Sequence, residues 1–149
     1  MKVLVTGSSG LVGKALIAYL KNKGDDVFKL VRSGANLLPD EIYYDVERGV
    51  VNPSLLEGFD AVVHLAGENI MGRWTEAKKR KIKESRVKGT ALLSDALSNL
   101  HNPPKVLVVA SAIGFYGDRS DEKVDEQSCR GKGFLAGVCE EWEKATDSA

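Results

Sequence analysis

Residues 2–13, KVLVTGSSGLVG, run from a β-branched segment through a glycine-rich turn into an amphipathic segment. Residues 2–6 are typical of a buried strand, and the apolar spacing after Gly10 predicts a helix over residues 11–23. Gly24 suits the C-terminal end of that helix. The residues that we expect on the buried face of this helix are Leu11, Ala15, Leu16, Tyr19 and Leu20.

The turn between this strand and this helix carries glycine at positions 7, 10 and 13. The first glycine permits the positive φ of a tight turn, the second lets a diphosphate approach the backbone, and the third lets helix and strand pack closely. Amides at the N-terminus of the helix would bind the phosphates, aided by the helix dipole. The turn residues expected to contact a dinucleotide are Gly7, Ser9, Gly10, Leu11, Val12 and Gly13.

The pair Gly13-Lys14 also resembles the end of a Walker A loop, the phosphate loop of ATPases and GTPases. That motif requires glycine at position 8 and serine or threonine at position 15. The sequence has Ser8 and Ala15 instead. The Walker A alternative is therefore rejected.

Short apolar runs alternate with helical patterns along the rest of the chain. Further strands are predicted at residues 26–31, 41–46, 60–65 and 106–110, and helices at residues 75–100, with Gly89 as a candidate break, and 133–145. Strands separated by helices imply parallel pairing, and apolar runs such as VLVVA are typical of a sheet covered on both faces. The sequence predicts one doubly wound α/β domain of Rossmann type over residues 1–149.

Composition excludes several classes of protein. The 21 basic and 21 acidic side chains give no formal net charge, which argues against a dedicated nucleic-acid binder. The basic run 78–83 is flanked by Glu76 and Glu84 and is interpreted as a solvated helix face. We expect no membrane span, no signal peptide and a cytoplasmic location. Two cysteines and two histidines are too few for a disulfide scaffold or a zinc site, so no metal is expected.

The end of the second predicted strand distinguishes between dinucleotides. An acidic residue there would accept hydrogen bonds from a free ribose hydroxyl. The sequence has Arg32 followed by Ser33, and a guanidinium can pair with a 2′-phosphate. This favours NADP(H) over NAD(H), the alternative being an ordinary solvated arginine.

Several motifs resemble the extended short-chain dehydrogenases/reductases. The first are the glycine turn, Asp45-Val46 after the third strand, and HLAG at residues 64–67 after the fourth. Finer matches resemble an atypical branch, the YfcH-like NAD(P)-dependent epimerase/dehydratase proteins: GENI at 67–70, RW at 73–74, SR at 85–86 with Thr90, SAIGFYG at 111–117, GFLA at 133–136 and WE at 142–143. Members have a C-terminal half that completes the sheet and supplies much of the substrate pocket. The resemblance therefore implies the N-terminal, cofactor-binding half of an incomplete Rossmann fold.

The resemblance also assigns cofactor contacts. It places Arg32 at the 2′-phosphate and Asp45 at the adenine edge. It places Leu65, Ala66 and Gly67 under the ribose and diphosphate. Arg86 stands where many relatives carry an asparagine beside the cofactor, which implies a charge contact.

The wider superfamily implied by the resemblance uses a Tyr-x-x-x-Lys pair with a serine or threonine for proton transfer. The matching segment carries Phe134 and Val138, neither of which can move or tune a proton. Ser111, at the end of the apolar strand, and Tyr116 are the candidate catalytic residues. The usual serine or threonine position falls on Ala112, one residue from Ser111.

Two functions are consistent with these residues. The first is an NADP-dependent epimerase or oxidoreductase that transfers hydride to or from an unidentified carbonyl or sugar-nucleotide substrate. The second is a non-catalytic, NADP(H)-binding regulatory module that lacks the Tyr/Lys pair. Apolar surface left uncovered by a missing half would also favour a homo-oligomer.

Overall fold

The computed structural model describes residues 1–149, which form a six-stranded sheet and three α-helices. The strands are β1 (Lys2–Thr6), β2 (Asp26–Val31), β3 (Glu41–Asp45), β4 (Val50–Val51), β5 (Ala61–His64) and β6 (Val106–Val109). The helices are α1 (Leu11–Asn22), α2 (Glu76–Ser98) and α3 (Phe134–Lys144). None of these helices is long and apolar enough to cross a bilayer.

The strands lie in the order β4-β3-β2-β1-β5-β6. β1 is paired in parallel with both β2 and β5, while β3 and β6 add in parallel on the outer sides. Only the short β4 runs antiparallel, against β3. The chain thus builds one side of the sheet from β1 and then returns to build the other, which confirms the predicted Rossmann-type, mostly parallel fold. Ligands of such sheets bind where the order reverses, at the carboxyl ends of the central strands.

Each side of the sheet has its own apolar core, because side chains alternate between the two faces along each strand. On one side α2 packs against the sheet, and the central residues of that core are Leu4, Leu30, Val62, Leu93 and Leu97. On the other side α1 covers a smaller core built on Val3, Val5, Leu20 and Val27. The two helices therefore hold β1 and β5 firmly between them.

The buried face of α1 differs from the predicted one. Leu11, Ala15 and Tyr19 are exposed, with 90% of Leu11 and 60% of Tyr19 accessible. Gly13 and Leu20 are buried instead. The cause is the glycine turn, since a Cβ at Gly13 would lie 2.3 Å from the carbonyl oxygen of Gly7. Gly13 must face the turn, and this sets the rotation of the whole helix.

Helix α2 runs without a break through Gly89, contrary to the break considered from the sequence. Gly89 is buried, and a Cβ there would lie 3.5 Å from the side chain of Val46. This is an ordinary van der Waals distance, so the segment after β3 packs against the helix at this point. The side chain of Thr75 caps α2 by accepting a hydrogen bond from the amide of Lys78 at 3.2 Å.

Strand β6 also differs from its prediction. The apolar run VLVVA predicted a strand covered on both faces, but Val106 and Val108 are each about half exposed. β6 is the edge of the sheet, and its neighbour β5 lies at the limit of the core under α1. One face of β6 is therefore bare within this chain.

The bare face of β6 is expected to promote self-association, and Val108→Lys should weaken it. The new charge projects into water on an edge strand, so we expect the unfolding free energy to change by less than about 0.5 kcal/mol. Sedimentation velocity over a concentration series would measure the association. Val124→Lys, at an exposed valine outside the sheet, is the matched control. A wild-type chain that stays monomeric throughout would contradict the prediction.

Candidate functional site

The glycine turn leaves no room for side chains at two positions. Gly7 has φ +68°, and a Cβ there would lie 2.7 Å from the carbonyl carbon of Leu65. Gly13 is in similarly close contact with Gly7. The amide of Gly10 donates to the carbonyl oxygen of Gly7 at 3.0 Å and closes the turn. The turn is thus compressed between α1 and the loop that follows β5.

The N-terminus of α1 is open. Gly10 is its N-cap and supplies no side-chain cap, and the first turn contains no acidic residue. The amides of Leu11, Val12 and Gly13 have no acceptor in the chain. Ser9 is exposed beside them. Three unpaired amides and the positive end of the helix dipole form a site suited to an anion such as a diphosphate.

Thr6, at the end of β1, fixes the loop that faces this turn. Its Oγ1 accepts hydrogen bonds from the amides of Leu65 at 3.1 Å and Ala66 at 3.0 Å. A hydroxyl has two lone pairs and one proton, so the proton must go to Nδ1 of His64, which lies 2.7 Å away. His64 therefore carries its own proton on Nε2.

His64 is a core residue. It is fully buried, its Nε2 has no partner, and burial lowers its pKa to about 4. The imidazole is therefore neutral near neutral pH. Its function in this arrangement is to accept from Thr6 and so to hold the loop.

Helix α2 holds the same loop from the other side. Ser85 Oγ accepts from the amide of Glu68 at 2.9 Å, and Arg86 Nη1 donates to the carbonyl oxygen of Glu68 at 3.0 Å. The carboxylate of Glu68 forms an ion pair with Lys78 at 2.6 Å, which lowers the pKa of Glu68. The segment from Leu65 to Glu68 is thus held from both β1 and α2.

Arg32 and Asp45 lie at the carboxyl ends of β2 and β3. Arg32 is exposed and forms no salt bridge in the chain, so its guanidinium is free. Asp45 is engaged in the β3–β4 hairpin. Its carboxylate accepts from the amide of Arg48 at 3.0 Å and from the hydroxyl of Tyr43 at 3.1 Å, and the Arg48 amide lowers its pKa. This structural role of Asp45 was not predicted, because the two-residue β4 was not predicted.

The start of α3 carries no acid or base. Phe134 is half-buried and packs edge-on against Trp74, with 5.8 Å between ring centres, and Val138 is buried. The indole of Trp74 donates to the carbonyl oxygen of Ile70 at 2.7 Å. The two positions that match the Tyr-x-x-x-Lys pair of the wider superfamily therefore carry an aromatic and an aliphatic side chain.

The two candidate catalytic hydroxyls follow β6. Ser111 is exposed and donates a hydrogen bond to Glu143, a partner that was not predicted from the sequence. Glu143 lies nine residues along α3 from Phe134, which corresponds to roughly 13 Å of helix. Tyr116 is half-buried and packs edge-on against Phe115. The structure therefore places Ser111 toward the far end of α3.

A known protein family and several curated proteins are similar to this chain. Residues 3–133 match the model of the NAD dependent epimerase/dehydratase family. The "Epimerase family protein Mb2239" of Mycobacterium bovis is 40% identical over 148 residues, which cover 99% of this chain and 48% of that protein. The chain thus spans about half the length of the curated relatives that it matches.

Two solved structures extend the comparison. The human epimerase family protein SDR39U1, solved with NADPH, is 33% identical with a TM-score of 0.85 over 99% of this chain and 50% of that one. MoeE5, solved with UDP-glucose and NAD, is 25% identical with a TM-score of 0.80 over 98% of this chain and 48% of that one.

The buried His64 should make the fold sensitive to mild acid. Unfolded His64 takes up a proton near pH 6.5, whereas folded His64 does so only near pH 4. The unfolded state therefore binds more protons between these values, and the unfolding free energy should fall by up to about 3 kcal/mol as the pH is lowered through them.

Urea denaturation at several pH values would measure this loss. His64→Gln keeps an acceptor for Thr6 and should remove this part of the pH dependence, while His101→Gln, at an exposed histidine, should keep it. Equal pH dependence in the wild type and His64→Gln would show that His64 does not contribute.

Proposed function

The chain belongs to the NAD dependent epimerase/dehydratase family, and from that premise we propose that it binds NADP(H) and serves hydride transfer on a carbonyl or sugar-nucleotide substrate. It matches about half of an extended short-chain dehydrogenase/reductase. The activity proposed is therefore that of the whole protein, in which this chain supplies the cofactor site.

The open N-terminus of α1 carries the proposal. Its three unpaired amides would hold the diphosphate, and the exposure of Leu11 and Val12 leaves them accessible. The close contact between Gly7 and Leu65 brings the loop after β5 (residues 65–68), the second loop of the site, beside the same turn. Leu65, Ala66 and Gly67 would lie under the diphosphate and ribose. Asp45 would approach the adenine from the end of β3.

We propose a preference for NADP(H) over NAD(H) because Arg32 is free. An exposed guanidinium without a carboxylate partner can form a bidentate pair with a 2′-phosphate. The relative solved with NADPH supports this preference, whereas the relative solved with NAD shows that the fold also accepts the other dinucleotide.

The bound nicotinamide would supply or accept the hydride, and a side chain must handle the accompanying proton. Phe134 and Val138 cannot do so. Ser111 and Tyr116 are our candidates, since both carry hydroxyls just beyond the carboxyl end of β6. The Ser111 hydroxyl is already bound to Glu143, which gives Tyr116 the freer proton.

A non-catalytic, NADP(H)-binding module is the second candidate. The packing of Phe134 against Trp74 and the burial of Val138 favour it, because α3 then offers a ligand no proton donor. The two functions differ in whether bound cofactor is turned over. A homo-oligomeric state and a cytoplasmic location stay predictions under either function.

Calorimetric titration with NADPH and NADH tests the cofactor. We expect NADPH to bind more tightly, and Arg32→Ala to raise the Kd for NADPH by about tenfold or more while leaving that for NADH unchanged. Arg80→Ala, an exposed arginine on α2 without a salt bridge, is the matched control. Equal affinity for both would contradict the preference, and binding of neither would contradict the dinucleotide site.

Turnover by the whole protein separates the two functions. If Tyr116 moves the proton, Tyr116→Phe should lower kcat about a hundredfold while the Kd for NADPH stays unchanged. Tyr19→Phe, at an exposed tyrosine on α1, is the control. Oxidation of NADPH would be followed by absorbance with carbonyl compounds and sugar nucleotides. The absence of turnover with every substrate would favour the module.

A further inference from the structure

We propose that Arg86 is a positioning residue. Its guanidinium binds the backbone at Gly67–Glu68, rather than a phosphate, and so fixes the position of this backbone in the dinucleotide site. The inference rests on the proposed function, because this backbone is the part of the second loop expected beneath the cofactor. The family resemblance implied that Arg86 makes a charge contact with the cofactor. In the proposal, Arg86 instead contacts the backbone of the protein, and does so in the absence of any ligand.

The guanidinium of Arg86 lies between this backbone and the indole of Trp142. Nη1 donates to the carbonyl oxygens of Glu68 at 3.0 Å and Ile82 at 3.2 Å. On one side the guanidinium carbon is 5.1 Å from the centre of the Trp142 ring. On the other, a Cβ at Gly67 would lie 3.1 Å from the same carbon. The slot fits a flat group, which a guanidinium is and an ammonium is not.

The guanidinium of Arg86 is held by backbone carbonyls rather than by an ion pair. It forms no salt bridge, and its Nη1 is shared between two backbone carbonyls. Burial lowers the pKa of Arg86, yet a guanidinium remains protonated in proteins. Two carbonyl dipoles and the face of Trp142 therefore stabilise the cation. These contacts orient Arg86 in the free protein.

Ser85 binds the backbone of Glu68 as well. Its Oγ accepts from the amide of Glu68 at 2.9 Å and donates to the carbonyl oxygen of Ile82 at 3.2 Å. Both polar backbone groups of Glu68 are thus bound by consecutive side chains of α2. Such a double contact fixes the position of a backbone segment more closely than either bond alone.

The Trp142 ring that packs against Arg86 is itself held by a hydrogen bond. Its Nε1 donates to Thr90 Oγ1 at 2.9 Å, and both residues are buried. Thr90 lies four residues beyond Arg86, about one helical turn along α2. The Trp142–Thr90 bond therefore connects α3 to α2 about one turn from the place where α2 holds the loop after β5.

Amide hydrogen exchange in the ligand-free protein tests the contact directly. Ser85→Ala removes the partner of the Glu68 amide without changing charge, and Arg86→Lys keeps the charge but not the planar group. We expect Ser85→Ala to speed exchange at the Glu68 amide by about tenfold, the effect of losing one hydrogen bond of this kind. Arg86→Lys releases the Glu68 carbonyl oxygen instead and should also speed exchange at this amide, because the segment is then held less closely. Lys88→Met, which removes an exposed charge from the same helix, should have no effect.

Titration with NADPH at several salt concentrations tests the consequence for binding. Ser85→Ala and Arg86→Lys should each raise the Kd by about tenfold, with the same salt dependence as the wild type. The double variant should be less than additive, because both changes release the same residue. If Arg86→Lys fails to fold, as judged by thermal unfolding, Arg86→Met tests the same contact and should speed exchange at Glu68.

Wild-type exchange at Glu68 in Arg86→Lys would overturn the proposal. So would retained affinity in Arg86→Lys, combined with a loss of affinity and of salt dependence in Arg86→Met, because that pattern marks a direct charge contact with a phosphate. Failure of the wild type to bind NADPH would contradict the proposed function instead. The exchange measurement would still decide whether Arg86 and Ser85 position the loop.

Discussion

The contact between Gly13 and the carbonyl oxygen of Gly7 is the constraint on which the rest of the site depends. No side chain fits there, so the first turn of α1 lies directly on the end of β1. This contact sets the rotation of α1, which buries Leu20 and exposes Leu11 and Tyr19. It also aims the unpaired amides of the helix at the space beside the glycine turn.

The second loop of the site depends on polar contacts rather than on steric ones. Thr6 and His64 hold it from the sheet, while Ser85 and Arg86 hold it from α2. The bonds from Thr6, Ser85 and Arg86 end on the backbone of the loop, while His64 acts through Thr6. Sheet, helix and loop therefore form one unit at the carboxyl end of β5.

Much of the fold could be predicted from the sequence, because apolar runs and glycine positions report local structure directly. Strands β1 and β2 have the predicted bounds, and the mostly parallel pairing agrees with the alternation of strands and helices. The face of α1, the continuity of α2 at Gly89 and the exposure of β6 could not be predicted. The face of α1 depends on the close contact between Gly7 and Gly13, α2 packs against Val46 at Gly89, and the exposure of β6 depends on its place at the edge of the sheet. In the site, the glycine turn was visible from spacing, but the partners of Thr6, Arg86 and Ser111 required three-dimensional contacts.

The two edges of the sheet are unequal, and this limits how copies of the chain can add to one another. At one edge, β4 is two residues long and antiparallel, so it offers almost no backbone for pairing. At the other, β6 offers four residues and two exposed valines. Pairing of β6 with β6 would use the extendable edge of both molecules and leave a blunt end on each side. β6 therefore offers much more backbone for further strand pairing than β4 does.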